Sequence, residues 1–106
     1  MKPAALATLG PTLAMTTAAI EAVVRPQRVY CALFSEETRA VHLHLFPRTE
    51  WIASQYFGAN PDEIEISGPS LMDWARRTFQ QPIRGMDRDE ILEKIRAWLA
   101  LMASEA

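Results

Sequence analysis

The chain has 106 residues, of which 49% are hydrophobic, enough for one domain with an apolar core. Its 11 basic and 13 acidic residues nearly balance, and the pI is near 5.6. This balance excludes a protein that coats nucleic acid, which needs a basic excess, but it allows a small phosphorylated ligand. The single cysteine, Cys31, excludes an internal disulfide.

The N-terminal stretch is apolar but interrupted. It contains Gly10, Pro11 and several threonines, and only Lys2 precedes it. These interruptions argue against the continuous apolar segment of a signal peptide and against a membrane-spanning helix. We therefore expect a cytoplasmic protein that does not contact a membrane.

The first predicted helix covers about residues 11–24. Its apolar positions recur at helical spacing, at Leu13, Thr17, Ile20 and Val24. Pro26 ends it, because proline disfavours helical geometry in the residue before it.

Two strands follow, at about residues 29–34 and 40–46. The first is rich in β-branched and aromatic residues, and the second alternates between apolar and other residues. The short polar segment 35–39 between them is typical of a hairpin loop. Pro47 lacks a backbone donor and is expected to end the second strand.

Helices are predicted again in the C-terminal half. A short one falls within residues 51–57, and others cover about residues 69–80 and 87–103. Pro69 suits the first turn of the second, and Asp87 with Glu90 forms a capping box for the last. Trp74 and Trp98 are interpreted as core residues, and so is Cys31.

The predicted fold class is α+β, a single domain over residues 1–106 with an antiparallel hairpin packed with helices. A lone two-stranded hairpin is marginal in water, so either helices cover it or a second chain extends its sheet. We expect a homodimer.

Both histidines of the chain lie in the second strand, at His42 and His44. Alternation places them on one side with Phe46, about 7 Å apart by Cα, while Leu43 and Leu45 face the core. Two imidazoles at this spacing can converge on one tetrahedral anion or one metal ion. Zinc is the less favoured ligand, because it needs a third protein ligand and no further histidine exists. No metal or cofactor is expected.

The segment from Ala40 to Arg48, AVHLHLFPR, resembles the signature strand of the histidine triad superfamily, and in particular its diadenosine-polyphosphate hydrolases. Aligning on Pro47-Arg48 places His42 at the family's nucleophilic histidine and His44 at its last histidine. The helix and strand that precede the segment fit the same pattern over about residues 11–50. The later helices resemble C-terminal extensions of the family.

The resemblance implies a nucleotidyl hydrolase or transferase that acts through a nucleotidyl-histidine on His42, with a nucleotide or dinucleoside polyphosphate as ligand. His44 and Arg48 are the expected phosphate contacts. Phe46, Ser35 and Trp51 are weaker candidates for the pocket.

Two departures from the family pattern leave alternatives open. Ala40 stands where the family has its first histidine, and the strands that precede this half of the family's fold have no counterpart before the first helix. The chain therefore also fits a degenerate module that binds a nucleotide without turnover, or a fragment whose strand completes a sheet with another chain. A pair of strand histidines without any ligand is the simplest alternative.

Overall fold

The computed structural model describes residues 2–33, 42–81 and 87–105. Within these ranges lie α1 (Pro3–Val24), β1 (Arg28–Leu33), β2 (Leu43–Arg48), α2 (Glu50–Ala59), α3 (Gly68–Thr78) and α4 (Arg88–Glu105). Helices and an antiparallel strand pair together confirm the α+β class. The predicted loop 35–39, and the start of the second strand at residues 40 and 41, lie outside the described residues.

The two strands pair antiparallel, with Tyr30 opposite Phe46 and Ala32 opposite His44. Residues opposite each other in such a ladder project on the same face of the sheet. The expected end of the second strand before Pro47 is wrong, because Pro47 lies inside the ladder opposite Val29. Each strand of a two-stranded sheet has a free edge, and edge strands tolerate proline.

The core lies between the hairpin and the helix pair α2–α3. Its buried members are Ile52, Tyr56, Leu71 and Ala75. Partly buried side chains that pack around them come from both strands, from α2 and α3, and from the residues that flank α3: Tyr30, Phe46, Phe57, Ile66, Trp74 and Phe79. The prediction of Trp74 as a core residue is therefore confirmed.

Helix α1 begins at Pro3, so the prediction that it starts near residue 11 is wrong. Pro3 suits the first turn, where an N–H would have no helical partner. Pro11 lies inside the helix and is tolerated there despite its missing donor. The C-terminal half of α1 buries Ala19 and Ile20, and the helix packs on α4 and β2. By length and composition α1 also meets the criteria for crossing a membrane, which core helices and signal sequences meet as well.

The helix starts follow the local capping signals. The Asp87 carboxylate accepts a hydrogen bond from the Glu90 N–H at 3.0 Å, as the capping box predicts, and Ser67 caps α3 by accepting from Ser70 N–H at 3.2 Å. Two predictions of burial are wrong. Trp98 and Cys31 are both exposed, because the helices that pack on the hairpin and on α4 leave these positions uncovered.

Candidate functional site

The histidine pair lies where β2 begins. His42 directly precedes the strand and His44 is its second residue. Their ring centroids are 5.1 Å apart and the ring planes meet at 72°, an edge-to-face contact. His42 is half-buried and His44 is exposed. The alternation of side chains along an extended backbone thus brings both imidazoles to the same side, as expected from the sequence.

Next to the histidines this hairpin face is largely apolar, and it ends at the Arg28–Arg48 pair. Ala32, opposite His44, carries only a methyl group, and the rings of Tyr30 and Phe46 stack next to it with centroids 6.5 Å apart. Phe46 packs on the core between the hairpin and α2–α3, and its role in a pocket beside the histidines stays a prediction. The face of the strand that carries His44 therefore also carries Phe46, two residues later, and meets the core there.

The turn after β2 decides which side of the strand is covered. Thr49 alone separates β2 from α2, and its hydroxyl caps the helix by accepting from the Ile52 N–H at 3.1 Å. Helix α2 therefore packs immediately onto the face that carries Phe46. The core around α2 and α3 therefore lies on the Phe46 side of the strand, whereas Leu43 and Leu45 were expected to face the core.

Arg48 lies at the other end of β2 from the histidines. It stands four positions after His44, or about 13 Å away between Cα atoms. Its Nη1 donates to the Tyr30 hydroxyl at 3.2 Å, and its Nε is buried without a hydrogen-bond partner among the described residues. The structure therefore does not bring Arg48 to the histidine pair.

Of the two remaining candidates, Trp51 and Ser35, the structure describes only Trp51. Trp51 is 41% exposed on α2, where its ring lies 5.6 Å from that of Phe79. Ser35 and Ala40 lie outside the described residues. In the part of the chain that the structure describes, no three side chains of His, Cys, Asp or Glu gather at a metal-binding spacing.

The sequence analysis did not single out Tyr30. This residue of β1 contacts Arg48 of β2 and the first turn of α3. Its ring lies against Gly68 in the first turn of α3, where an added Cβ would meet Tyr30 Cε1 at 3.1 Å. No local pattern in the sequence signals this contact. Only the strand register, which sets Tyr30 opposite Phe46, could have revealed it.

Two side chains that lie away from the histidines have shifted pKa values. Burial raises the pKa of the Tyr56 phenol above its ordinary value of 10.0, and the hydrogen bond that it donates to Glu63 Oε2 at 3.0 Å adds to the effect. The hydrogen bond from Arg76 lowers the pKa of Asp73, and the charge of Arg77 lowers it further. Tyr56 lies on α2 and Asp73 on α3, so neither shift is at the histidine pair.

Comparison with known proteins finds no matching family model, no matching curated protein and no matching solved structure. The resemblance to the histidine triad superfamily therefore rests on the residues of the AVHLHLFPR segment.

Proposed function

We propose that the chain binds the phosphate of a nucleotide between His42 and His44 and transfers the nucleotidyl group through His42. The observation that carries the proposal is the edge-to-face contact of the two rings, 5.1 Å between centroids, with His44 exposed and His42 half-buried. The resemblance of the AVHLHLFPR segment to the histidine triad signature supports the same roles.

The proposed reaction has two steps. The lone pair of a neutral His42 imidazole nitrogen attacks the α-phosphorus, a P–N bond forms, and the bond from phosphorus to the leaving group breaks. The leaving group departs and takes up a proton from solvent. Water then attacks the phosphorus, the P–N bond breaks, and the mononucleotide is released. His44 donates a hydrogen bond to a non-bridging phosphate oxygen, where negative charge develops.

Arg48 takes a separate place in this proposal. At about 13 Å from His44 it cannot contact the phosphate that the histidines hold. A dinucleoside polyphosphate is long enough for a second phosphate to approach that end of the strand. We therefore propose that the histidine pair binds the reacting phosphate. Arg48 would contact only a phosphate further along the ligand.

The test is turnover of diadenosine tetraphosphate and of adenosine 5′-phosphoramidate, followed as release of AMP. His42→Asn should reduce turnover by about a thousandfold or more while nucleotide binding persists. His44→Ala should reduce it by about a hundredfold. Arg96→Ala, an exposed change on α4, is the control and should leave turnover unchanged. Intact-mass analysis after a rapid acid-free quench should show AMP attached to the wild type and not to His42→Asn.

A His42→Asn variant with full turnover would refute the nucleophilic role. Absence of AMP release, combined with nucleotide-dependent thermal stabilisation that His42→Asn and His44→Ala abolish, would select binding without turnover. Ala40, at the position of the family's first histidine, is the observation that favours this second function. If the protein shows neither turnover nor nucleotide-dependent stabilisation, both functions are refuted.

A further inference from the structure

Two arginines face each other across the hairpin, at the end of the ladder away from the histidines. Arg28 of β1 lies directly opposite Arg48 of β2, so both side chains project on one face of the sheet. The Cβ atoms of such a pair are about 4.5–5.5 Å apart, and like charges at this spacing destabilise a sheet. Two positive charges held this close favour the binding of an anion between them.

No carboxylate of the described residues forms an ion pair with these two arginines. The ion pairs in the described ranges join Asp73 to Arg76 and Arg77, and Glu90 to Lys94. Glu50, two residues after Arg48, takes part in none of them. The first turn of α3, which lies against the Tyr30 ring, contains no acidic residue. Within the part of the chain that the structure describes, the charge of the arginine pair is therefore uncompensated.

Tyr30 holds the Arg48 guanidinium in position. Nη1 of Arg48 donates to the Tyr30 hydroxyl at 3.2 Å, and the Tyr30 ring is enclosed by Phe46 and Gly68. The Nε atom of Arg48 is buried and has no acceptor among the described residues. Nε and Nη2 form one edge of the guanidinium, and this edge binds a carboxylate or a phosphate with two parallel hydrogen bonds. The contact with Tyr30 uses Nη1 and leaves that edge available.

We propose that Arg28 and Arg48 bind the phosphate group of a small ligand. A phosphate monoester carries a charge of about −1.5 to −2 at pH 7, so it can neutralise both arginines, whereas a carboxylate neutralises one. Its oxygens accept from the available edge of Arg48 and from the exposed guanidinium of Arg28. The site needs neither histidine and so extends beyond the proposed function. The phosphate can belong to a nucleotide that also reaches the histidines or to a separate ligand, and the experiment distinguishes these sources.

The first test is a titration with inorganic phosphate, followed through the NMR signals of the arginine Nε–H groups. The Arg48 signal, assigned by its loss in Arg48→Lys, should shift as phosphate is added. Sodium chloride at the same ionic strength should not reproduce the shift, because chloride only screens the charges. A signal that stays in place, or one that chloride shifts equally, would overturn the proposal.

Arg28→Gln and Arg96→Gln form a matched pair, because each removes one exposed positive charge and only Arg28 lies in the site. Arg28→Gln should raise the dissociation constant for phosphate by about tenfold or more, since it removes a charged donor. It should also raise the thermal midpoint of the phosphate-free protein, because the two like charges no longer oppose each other. Arg96→Gln should change neither quantity. Equal phosphate affinity in the two variants would contradict the assignment.

The double variant His42→Asn with His44→Ala separates this site from the proposed function. Its affinity for inorganic phosphate should equal that of the wild type, whether or not the wild type releases AMP. A loss of phosphate affinity in this variant would overturn the arginine site, because phosphate would then bind at the histidines. Competition between diadenosine tetraphosphate and inorganic phosphate in the wild type would support the site with a nucleotide as its ligand. Phosphate binding without such competition would support it with a separate ligand.

Discussion

Tyr56 combines burial with a charged hydrogen bond in one side chain. Only 3% of its surface is exposed, and its ring meets that of Trp74 edge-to-face with centroids 5.4 Å apart. The phenol donates to a carboxylate oxygen of Glu63. Burial and this carboxylate both favour the neutral phenol, so the folded state holds the proton more tightly than the unfolded chain does.

The raised pKa of Tyr56 predicts a loss of stability at alkaline pH. Its contribution is fully present below the ordinary value of 10.0 and disappears as the pH rises through the folded pKa. Tyr56→Phe should lower the urea midpoint at pH 7 and should flatten the decline above pH 10. Glu63→Gln keeps the phenol buried but removes the carboxylate, so the folded pKa is raised less and the alkaline loss of stability should be smaller than in the wild type. Parallel alkaline declines in wild type and Tyr56→Phe would contradict the assignment.

Two glycines allow the Tyr30 contact to be measured. Gly58→Ala adds a methyl group to α2 in open space and should stabilise the protein by about 0.5–1 kcal/mol through helix propensity. Gly68→Ala places the same methyl group 3.1 Å from a Tyr30 ring that Phe46 and Arg48 hold in place. We expect the second variant to be less stable than the first by about 1 kcal/mol or more in urea unfolding. Equal gains would show that Tyr30 moves aside freely.

At the scale of elements, local signals predicted the starts of α3 and α4 well, but not that of α1. Asp87 and Ser67 cap their helices because a side-chain oxygen satisfies free amides a few residues away, which depends on sequence alone. The strand end at Pro47 and the burial of Trp98 were wrong, because they depend on which edge and which helix face another element covers. A short stretch of sequence does not indicate such long-range packing.

In the candidate site, too, the features set by local sequence were predictable and those set by long-range packing were not. Alternation along the strand was enough to predict that His42 and His44 share a side, since that relation is local. The separation of Arg48 from the pair follows from the extended backbone, but its link to Tyr30 depends on strand register. The core position of Phe46 depends on the direction in which α2 leaves Thr49. The sequence contains the residues of the site but not the neighbours that surround them.

Helix α1 offers a test of its unexpected length. Interior proline removes one helical hydrogen bond and crowds the carbonyl four residues before it, here that of Ala7. Pro11→Ala should therefore raise stability by about 1–3 kcal/mol, measured as the thermal midpoint by circular dichroism. Pro3→Ala, in the first turn, is the matched control and should change it little. A small effect of Pro11→Ala would instead indicate a helix that starts near residue 11.

At the scale of the whole molecule, apolar packing falls into two regions. One joins the hairpin to α2 and α3 around Leu71, which is fully buried. The other joins α1 to α4 and buries Ala19 and Ile20 of α1. Because buried side chains are few in both, each one accounts for a large share of the stability, which for a small domain is about 5–15 kcal/mol in all.

Leu71→Ala tests this dependence on the first region. Removing the side chain leaves a cavity between Tyr56, Ala75 and the hairpin, and such changes cost about 2–5 kcal/mol. We expect a lower urea midpoint and, at 37 °C, a large unfolded fraction. Ile64→Ala removes an apolar side chain that is 90% exposed and should change the unfolding free energy by less than about 0.5 kcal/mol. A cost below about 1 kcal/mol for Leu71→Ala would mean that the fold is held together elsewhere, since a filled core cannot lose its most enclosed side chain cheaply.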